Sequence, residues 1–402
     1  MKKKLLLSAI VSTLALGGVA AAQTEADSVY SALKNGNFSF NTRTFYMIRT
    51  FESPSTTPDT QALTFGGIMK YESASYNNIK LGLAFYGNES IGGVFSREEG
   101  LGTSLLERNT GDDINFLGEA YLQYDISNTM VKVGRQQLST PLMNNHDLRA
   151  LPSVYEAAVV RNSDIKDTTI ELGYVSRYTG FVSKDGKFLD YNTKWGKDGL
   201  AYIYLQNHSI ENLSLRAQYI APLSTTDATG THISVEDYKY ADAKYNVPFG
   251  KKTYVKVQVG GNDYYQESSS TLVGAKIGST FFNILDAAIL FDNIDGNSFK
   301  AVESGPMYSD WQQGYGNYEP STAVGGQLIL HPMKPLSLKV GYVDVSAASG
   351  YNTDDFSEFN FDGKYAFNDM SKIRIRYSYK DQKPGSSRES RQDFRVIYYL
   401  NF

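Results

Sequence analysis

The feature that most restricts this chain is a two-residue alternation of apolar and polar side chains, repeated in short segments from about residue 36 to the end. Ile79, Leu81, Leu83 and Phe85 alternate with Lys80, Gly82, Ala84 and Tyr86. Val255, Val257 and Val259 alternate with Lys256 and Gln258, and Ile373, Ile375, Tyr377 and Tyr379 with Arg374, Arg376, Ser378 and Lys380. A period of two is the period of a β-strand, whose side chains point to opposite faces in turn. After residue 22 no apolar run approaches the ~20 residues that a helix needs to cross a bilayer. A chain of this pattern can span a membrane only as a closed barrel, because open strand edges leave backbone groups unpaired in lipid.

The segments are numerous and regularly spaced. Eighteen candidate strands start near residues 36, 61, 78, 114, 128, 154, 167, 198, 211, 233, 251, 269, 283, 321, 334, 354, 370 and 389. Sixteen is the alternative, since the segments near 233 and 269 are poorly patterned; an even count suits a bacterial barrel. In the segment at 114, Ile114, Phe116, Gly118, Ala120, Leu122 and Tyr124 share one parity. Tight turns at 76–78, 125–128, 163–166, 209–211, 248–250, 332–334 and 367–369 separate longer polar stretches near 52–60, 88–112, 179–197, 222–232, 293–320 and 346–355. Short turns at one end and long loops at the other are the rhythm of a transmembrane barrel. Alternation alone also describes half-buried strands of a soluble sandwich, but a sandwich has no reason to alternate its loop lengths.

The two ends of the chain agree with this. Lys2, Lys3 and Lys4, an apolar run from Leu5 to about Val19, and Ala20–Ala22 form a secretory signal peptide. Residues 1–22 are therefore expected to be removed, leaving 23–402 as one barrel domain. At the other end Phe394, Val396, Tyr398, Leu400 and Phe402 fall on one face and the chain stops on an aromatic. Such an ending resembles the signal read by the barrel assembly machinery of the outer membrane of a Gram-negative bacterium.

Charge and composition narrow the function. The net charge is −4, and loss of the three leader lysines makes it −7, which argues against nucleic acid as a partner. There are no cysteines and only four scattered histidines, His146, His208, His232 and His331, so neither a metal site nor a cofactor is expected. No nucleotide-binding or nucleophile-elbow motif is present, and no enzymatic activity is expected.

If the apolar parity meets lipid, the opposite parity lines a lumen. Arg43, Lys80, Lys132, Arg216, Lys256, Lys339, Arg374, Arg376 and Arg395 then face inward, with Arg177 and Lys276 as additions. The clearest inward acids are fewer: Glu119, Glu171, Asp286 and Asp292. An acidic protein thus acquires a basic lumen, and rows of Arg and Lys in a pore favour anions.

The segment from Val133 to Glu156 breaks the alternation after a good strand and carries Pro141, Pro152 and a polar run, which suits a structured loop folded into the lumen. Its series Gly134-Arg135-Gln136, Thr140-Pro141, Asn145, Asp147-Leu148-Arg149, Pro152 and Tyr155-Glu156 resembles the OprD-type porins, the outer-membrane carboxylate channels. The early Asn41-Thr42-Arg43-Thr44-Phe45-Tyr46 strand is similar too. The resemblance implies a monomeric eighteen-stranded barrel passing small carboxylate-bearing solutes along a basic ladder. Arg43, Arg135, Arg149, Arg161, Arg374, Arg376 and Arg395 match that ladder, with Asn145, His146 and Asp147 on the constriction loop. The stretch 293–320, with Asp295, Glu303, Asp310 and Trp311, is the candidate second narrowing loop. The expected partners are small anionic or polar solutes and outer-membrane lipid, including lipopolysaccharide. The alternatives are a structural or adhesive surface barrel with a plugged lumen, and a general trimeric porin of sixteen strands.

Overall fold

The structure, a computed structural model, describes residues 25–52, 57–91, 97–107, 110–145, 149–179, 189–190, 195–227, 229–248, 252–309, 312, 319–348, 354–383, 386 and 389–402. The leader at 1–22, His146, Asp147, Asp310 and Trp311 lie outside these residues. A short helix α1 (Val29–Lys34) precedes β1 (Asn37–Phe51), β2 (Thr60–Glu72) and β3 (Ile79–Ser90). After helix α2 (Arg97–Gly100) come β4 (Ile114–Ile126), β5 (Thr129–Gln136), β6 (Val154–Asn162), β7 (Thr168–Thr179) and β8 (Leu189–Asp190). Next are β9 (Leu200–Asn207), β10 (Leu213–Pro222), β11 (Tyr238–Asn246), β12 (Tyr254–Asn262), β13 (Ser270–Phe281) and β14 (Leu285–Gly296). The chain ends with β15 (Ser321–Met333), β16 (Leu336–Ala347), β17 (Phe356–Ala366), β18 (Ser371–Gln382) and β19 (Arg391–Asn401).

Each wall strand pairs antiparallel with its neighbours, and β1 pairs β19 from Asn41↔Asn401 to Phe51↔Arg391, which closes the ring. Phe402 extends the seam: its N–H donates to the Phe40 carbonyl at 2.9 Å and its carbonyl accepts from Phe40 at 3.2 Å. Two-residue β8 pairs only with the end of β7, so β7 and β9 are the adjacent wall strands and eighteen strands make the barrel. Among the described residues no helix is long and apolar enough to cross a membrane.

The alternation decides which face meets what. Phe65, Met69, Leu122, Val133, Leu172, Val259 and Ile289 are exposed on the outside, while Glu119, Glu171, Gln258, Asp292 and Arg395 are buried inside. That is the inverse of a soluble protein and suits a wall with lipid outside and polar groups within. The short connections tighten through residues in the left-handed region: Asn77 (φ 48°) and Asn78 (φ 64°), Ser127 (φ 52°), Asp167 (φ 55°), Asn212 (φ 62°), and Phe282 (φ 54°) with Asn283 (φ 60°). Asn and Asp tolerate that conformation best.

Besides a register shift between Leu330 and Met333 at the β15–β16 turn, two β-bulges inside wall strands reset the alternation among the described residues. Ala84 opposes Glu119 but Phe85 opposes Leu117, leaving Gly118 as the extra residue. Ile114 and Phe116 therefore turn inward, whereas Ala120, Leu122 and Tyr124 stay outward; one parity does not run through this segment. In β7, Glu156 opposes Arg177 and Ala157 opposes Val175, leaving Ser176 extra. A bulge inserts one residue and flips every side chain beyond it. The strand expected near 233 starts instead at Tyr238. Residues 232–235 make only isolated bridges, Thr226↔His232 and Val235↔Tyr264.

Candidate functional site

Two loops turn back into the barrel. The segment between β5 and β6 is tied to β10, three strands round the wall from β6: Gln218 donates Nε2–H to Thr140 Oγ1 at 2.8 Å, and its Oε1 accepts Leu142 N–H at 2.8 Å. Near its start, Gln137 donates to Glu119 Oε1 at 3.1 Å and to Tyr86 Oη at 2.7 Å, and Asn145 donates to Gln137 Oε1 at 2.9 Å. Residues 297–320, between β14 and β15, meet the first loop where Val302 and Glu303 N–H donate to Leu142 O at 3.1 and 3.2 Å. Asn144 Nδ2 returns a bond to Ser304 O at 2.7 Å. Ser309 then bonds Asp292 on β14, and Gln312 N–H reaches Glu358 on β17 at 3.2 Å. An apolar cluster holds both loops: Leu138, Leu142, Met143, Phe299 and Val302 pack with Tyr155, Tyr202, Tyr238 and Leu290 of the wall.

On the other side of the lumen the wall is basic. β18 points Lys372, Arg374, Arg376 and Lys380 inward, and β19 points Arg391, Asp393 and Arg395. Arg376 stands directly opposite Arg395 in the register. Like charges in opposed positions are unfavourable without something between or beside them. Carboxylates supply part of it. Asp393 accepts Arg49 of β1 at 2.7 and 3.1 Å and Arg395 Nη2 at 2.6 Å. Asp362 of β17 accepts Arg374 at 2.5 and 2.9 Å and lies 3.9 Å from Arg376 Nε. The compensation is incomplete: Arg376 Nε and Arg395 Nε and Nη1 are buried without a hydrogen-bond partner among the described residues. Buried polar groups are nearly always satisfied, so these N–H groups are the unbalanced donors of the arc among the described residues. Tyr399 carries Arg43 on one side, at 5.4 Å from its ring centre, and Lys372 at 4.7 Å, as cation–π pairs do. Arg43 also donates to the Arg149 carbonyl at 2.7 Å, which brings the first loop to this wall. Desolvation first, then Arg395 and Arg49, hold the Arg149 guanidinium below its ordinary value, against the pull of Asp393.

A closed eighteen-stranded wall, inward loops and a column of basic residues are on hand together, and residues 33–272 match the outer-membrane porins of the OprD family. The chain belongs to the OprD family. No curated protein matches it by sequence. Among solved structures it is similar to OpdO of Pseudomonas aeruginosa, with TM-score 0.74 and 14% identity over 93% of this chain and 98% of that one. It is also similar to OccAB1 of Acinetobacter baumannii, with TM-score 0.76 and 14% identity over 95% and 99% of the two chains. A third is OpdK of Pseudomonas aeruginosa solved with vanillate, TM-score 0.75, 14% identity, 92% and 99% covered. At this identity the solved structures speak for the fold alone: that of channel porins.

Within this porin the expected lining residues separate into groups. Arg43, Arg149, Arg374, Arg376 and Arg395 gather on the basic arc. Lys132, inward on β5, sits 3.6 Å above the Tyr121 ring. Arg161 pairs Glu171 at 2.5 Å and Arg216 pairs Asp242 at 2.5 Å, both in the lumen but away from the arc. Lys256 stands opposite Lys244 and Lys276. Asn145 braces the first loop through Gln137, as above, whereas His146 and Asp147 lie outside the described residues.

Arg135 and Arg177 are corrections: both lie on the outer face. Arg135 opposes outward Ala120 and follows exposed Val133, and Arg177 is turned outward by the bulge at Ser176. Between them Glu156 pairs Arg177 at 2.7 Å and lies 3.7 Å from Arg135. Asp295 belongs to β14 rather than to the second loop. Sequence reasoning missed Asp393 and Asp362 as the carboxylates of the arc. Their signal was available, since Asp393 shares the inward parity of Arg395.

Proposed function

We propose that this porin admits small hydrophilic solutes by passive diffusion and favours anionic, carboxylate-bearing ones. The observation that carries the reading is Arg376 opposed to Arg395 with buried N–H groups that no described residue accepts. A guanidinium presents a planar fork that fits a carboxylate through two bonds. Arg43, Arg374 and Lys372 continue the column toward the short-turn end, so a solute would pass from rung to rung. Several weak sites conduct where one tight site would trap. Arg149 carries the first loop's positive charge to the same column, and the two loops set the size limit. In this reading the wall is seated in outer-membrane lipid with lipopolysaccharide outside. The assembly machinery inserts it by its last strand, after a leader at 1–22 is cleaved.

The test is single-channel recording in a planar bilayer. A small carboxylate added at millimolar concentration should interrupt the chloride current, and its uncharged amide of the same size should not. Equal effects of the two would remove the carboxylate preference. An absence of any conductance would favour a plugged, structural barrel instead.

A further inference from the structure

A second group of basic residues lies across the lumen from the arginine column. Lys244 of β11, Lys256 of β12 and Lys276 of β13 are directly opposite one another in consecutive strands. Neighbouring strands are about 4.8 Å apart, so the three lysines form one row across the wall. All three point inward, on the parity of buried Tyr240, Gln258 and Gly274. None makes an ion pair among the described residues, although acids lie close by in the wall, Asp242 on β11 and Asp286 and Asp292 on β14.

Those acids are committed elsewhere. Asp242 accepts Arg216 at 2.5 Å and Tyr240 Oη at 2.8 Å. Asp292 accepts Gln258 at 2.6 Å and the Ser309 N–H and hydroxyl at 2.7 and 2.6 Å. Asp286 faces His331 at 3.3 Å. The row is also organised. Lys244 and Lys256 share one aromatic ring, at 5.5 and 5.7 Å from the centre of Tyr254, which holds two ammonium groups near each other. Ser309 of the second inward loop closes over Asp292, one strand step on the loop side of the row. The row therefore lies between that loop and the turn at 247–253, on the exit side of the narrowing.

We infer that Lys244, Lys256 and Lys276 form an anion subsite at the short-turn end of the lumen that takes a compact anion of two or more charges, such as inorganic phosphate. Three opposed like charges are unfavourable in an empty wall. One monovalent carboxylate can reach two of them and leaves the third, whereas a phosphate spreads two charges over oxygens facing several directions. Lysine suits this task because its ammonium is a point charge on a flexible stem and needs no planar partner. The arginine column is suited to planar carboxylates, so the two walls would sort anions by shape and charge. The inference rests on the porin reading above.

Inorganic phosphate is the probe, added to one side of a single channel at a time while chloride current is recorded. Wild-type channels should be inhibited more strongly from the short-turn side. A Lys244→Gln/Lys256→Gln/Lys276→Gln variant should need about tenfold more phosphate, the loss of roughly one charged contact. The matching Lys→Arg triple variant, which keeps the charge and controls for assembly, should retain inhibition within a few-fold. Heat-modifiable gel mobility verifies that each barrel is closed. The inference is overturned if the Gln variant responds to phosphate as wild type does. It is also overturned if only Arg374→Gln/Arg376→Gln abolishes the response. Chloride conduction with no response to phosphate removes the subsite and leaves the porin reading intact. Absence of conduction removes both.

Discussion

The arc of wall from β17 through β19 to β1 and the arc from β6 to β14 differ at the level of the two inward loops. The first carries Arg374, Arg376, Arg391, Arg395 and Arg49 around two carboxylates, Asp362 and Asp393. The second carries Tyr155, Tyr202, Tyr204, Tyr238 and Leu290, and against these the two inward loops press Leu138, Leu142, Phe299 and Val302. At that level one side is an apolar core that holds the loops, and the other is a buried cluster of arginines and carboxylates with N–H groups left over among the described residues. A barrel of eighteen strands encloses more space than its wall side chains can fill. Here loops fill the space beside the apolar arc, and the second loop also reaches the basic arc through Gln312.

The comparison can be broken from either side. The largest effect is expected at the buried junction of the basic arc. Asp393→Asn leaves Arg49 and Arg395 without their shared carboxylate and should cost about 3–5 kcal/mol, as removal of one partner of a buried pair does. Denaturant unfolding in detergent measures it, and a loss under 1 kcal/mol would mean that water already screens the site. On the apolar side, Leu142→Ala empties a fully buried position. It should cost about 2–5 kcal/mol and raise single-channel conductance as the first loop loosens; unchanged conductance would show that this core does not hold the loop. Gln218→Leu removes both bonds from β10 to that loop and leaves the Leu142 N–H unpaired, at about 1–3 kcal/mol. It should appear as extra current noise, not as a change of ion preference. The smallest effect is expected outside the lumen. Arg135→Gln disturbs a half-exposed ion pair of about 0–1 kcal/mol and should leave ion selectivity as it was. A shifted selectivity would place Arg135 back in the pore.

The wall was largely legible because a period of two is written locally. Strands anticipated at 36, 114, 154 and 321 begin at Asn37, Ile114, Val154 and Ser321. What failed was inference across a break in the period. Parity counted along β7 puts Arg177 inside, and the extra residue Ser176 reverses it; nothing in the local sequence distinguishes that serine from a regular strand residue. Arg135 erred for another reason: its place came from a resemblance to a motif, while the unbroken alternation from Lys132 through Val133 already turned it outward. The inward loop at 137–153 was legible from its prolines and its lapse of alternation. Its partners were not, because Gln218 and Ser304 are brought to it only by the closing of the ring. The carboxylates of the basic arc are a milder case. Asp393 could be placed by parity, but that it bridges Arg49 and Arg395 depends on β1 and β19 meeting, 344 residues apart in the chain.

The central claim is that the basic arc makes the pore prefer anions. Its most direct measurement is the reversal potential of single channels in asymmetric potassium chloride, for wild type and for Arg374→Ser/Arg376→Ser. The account predicts an anion-selective potential in wild type that moves toward, or through, zero in the double variant. A cation-selective wild type, or a double variant with the wild-type potential, would contradict it.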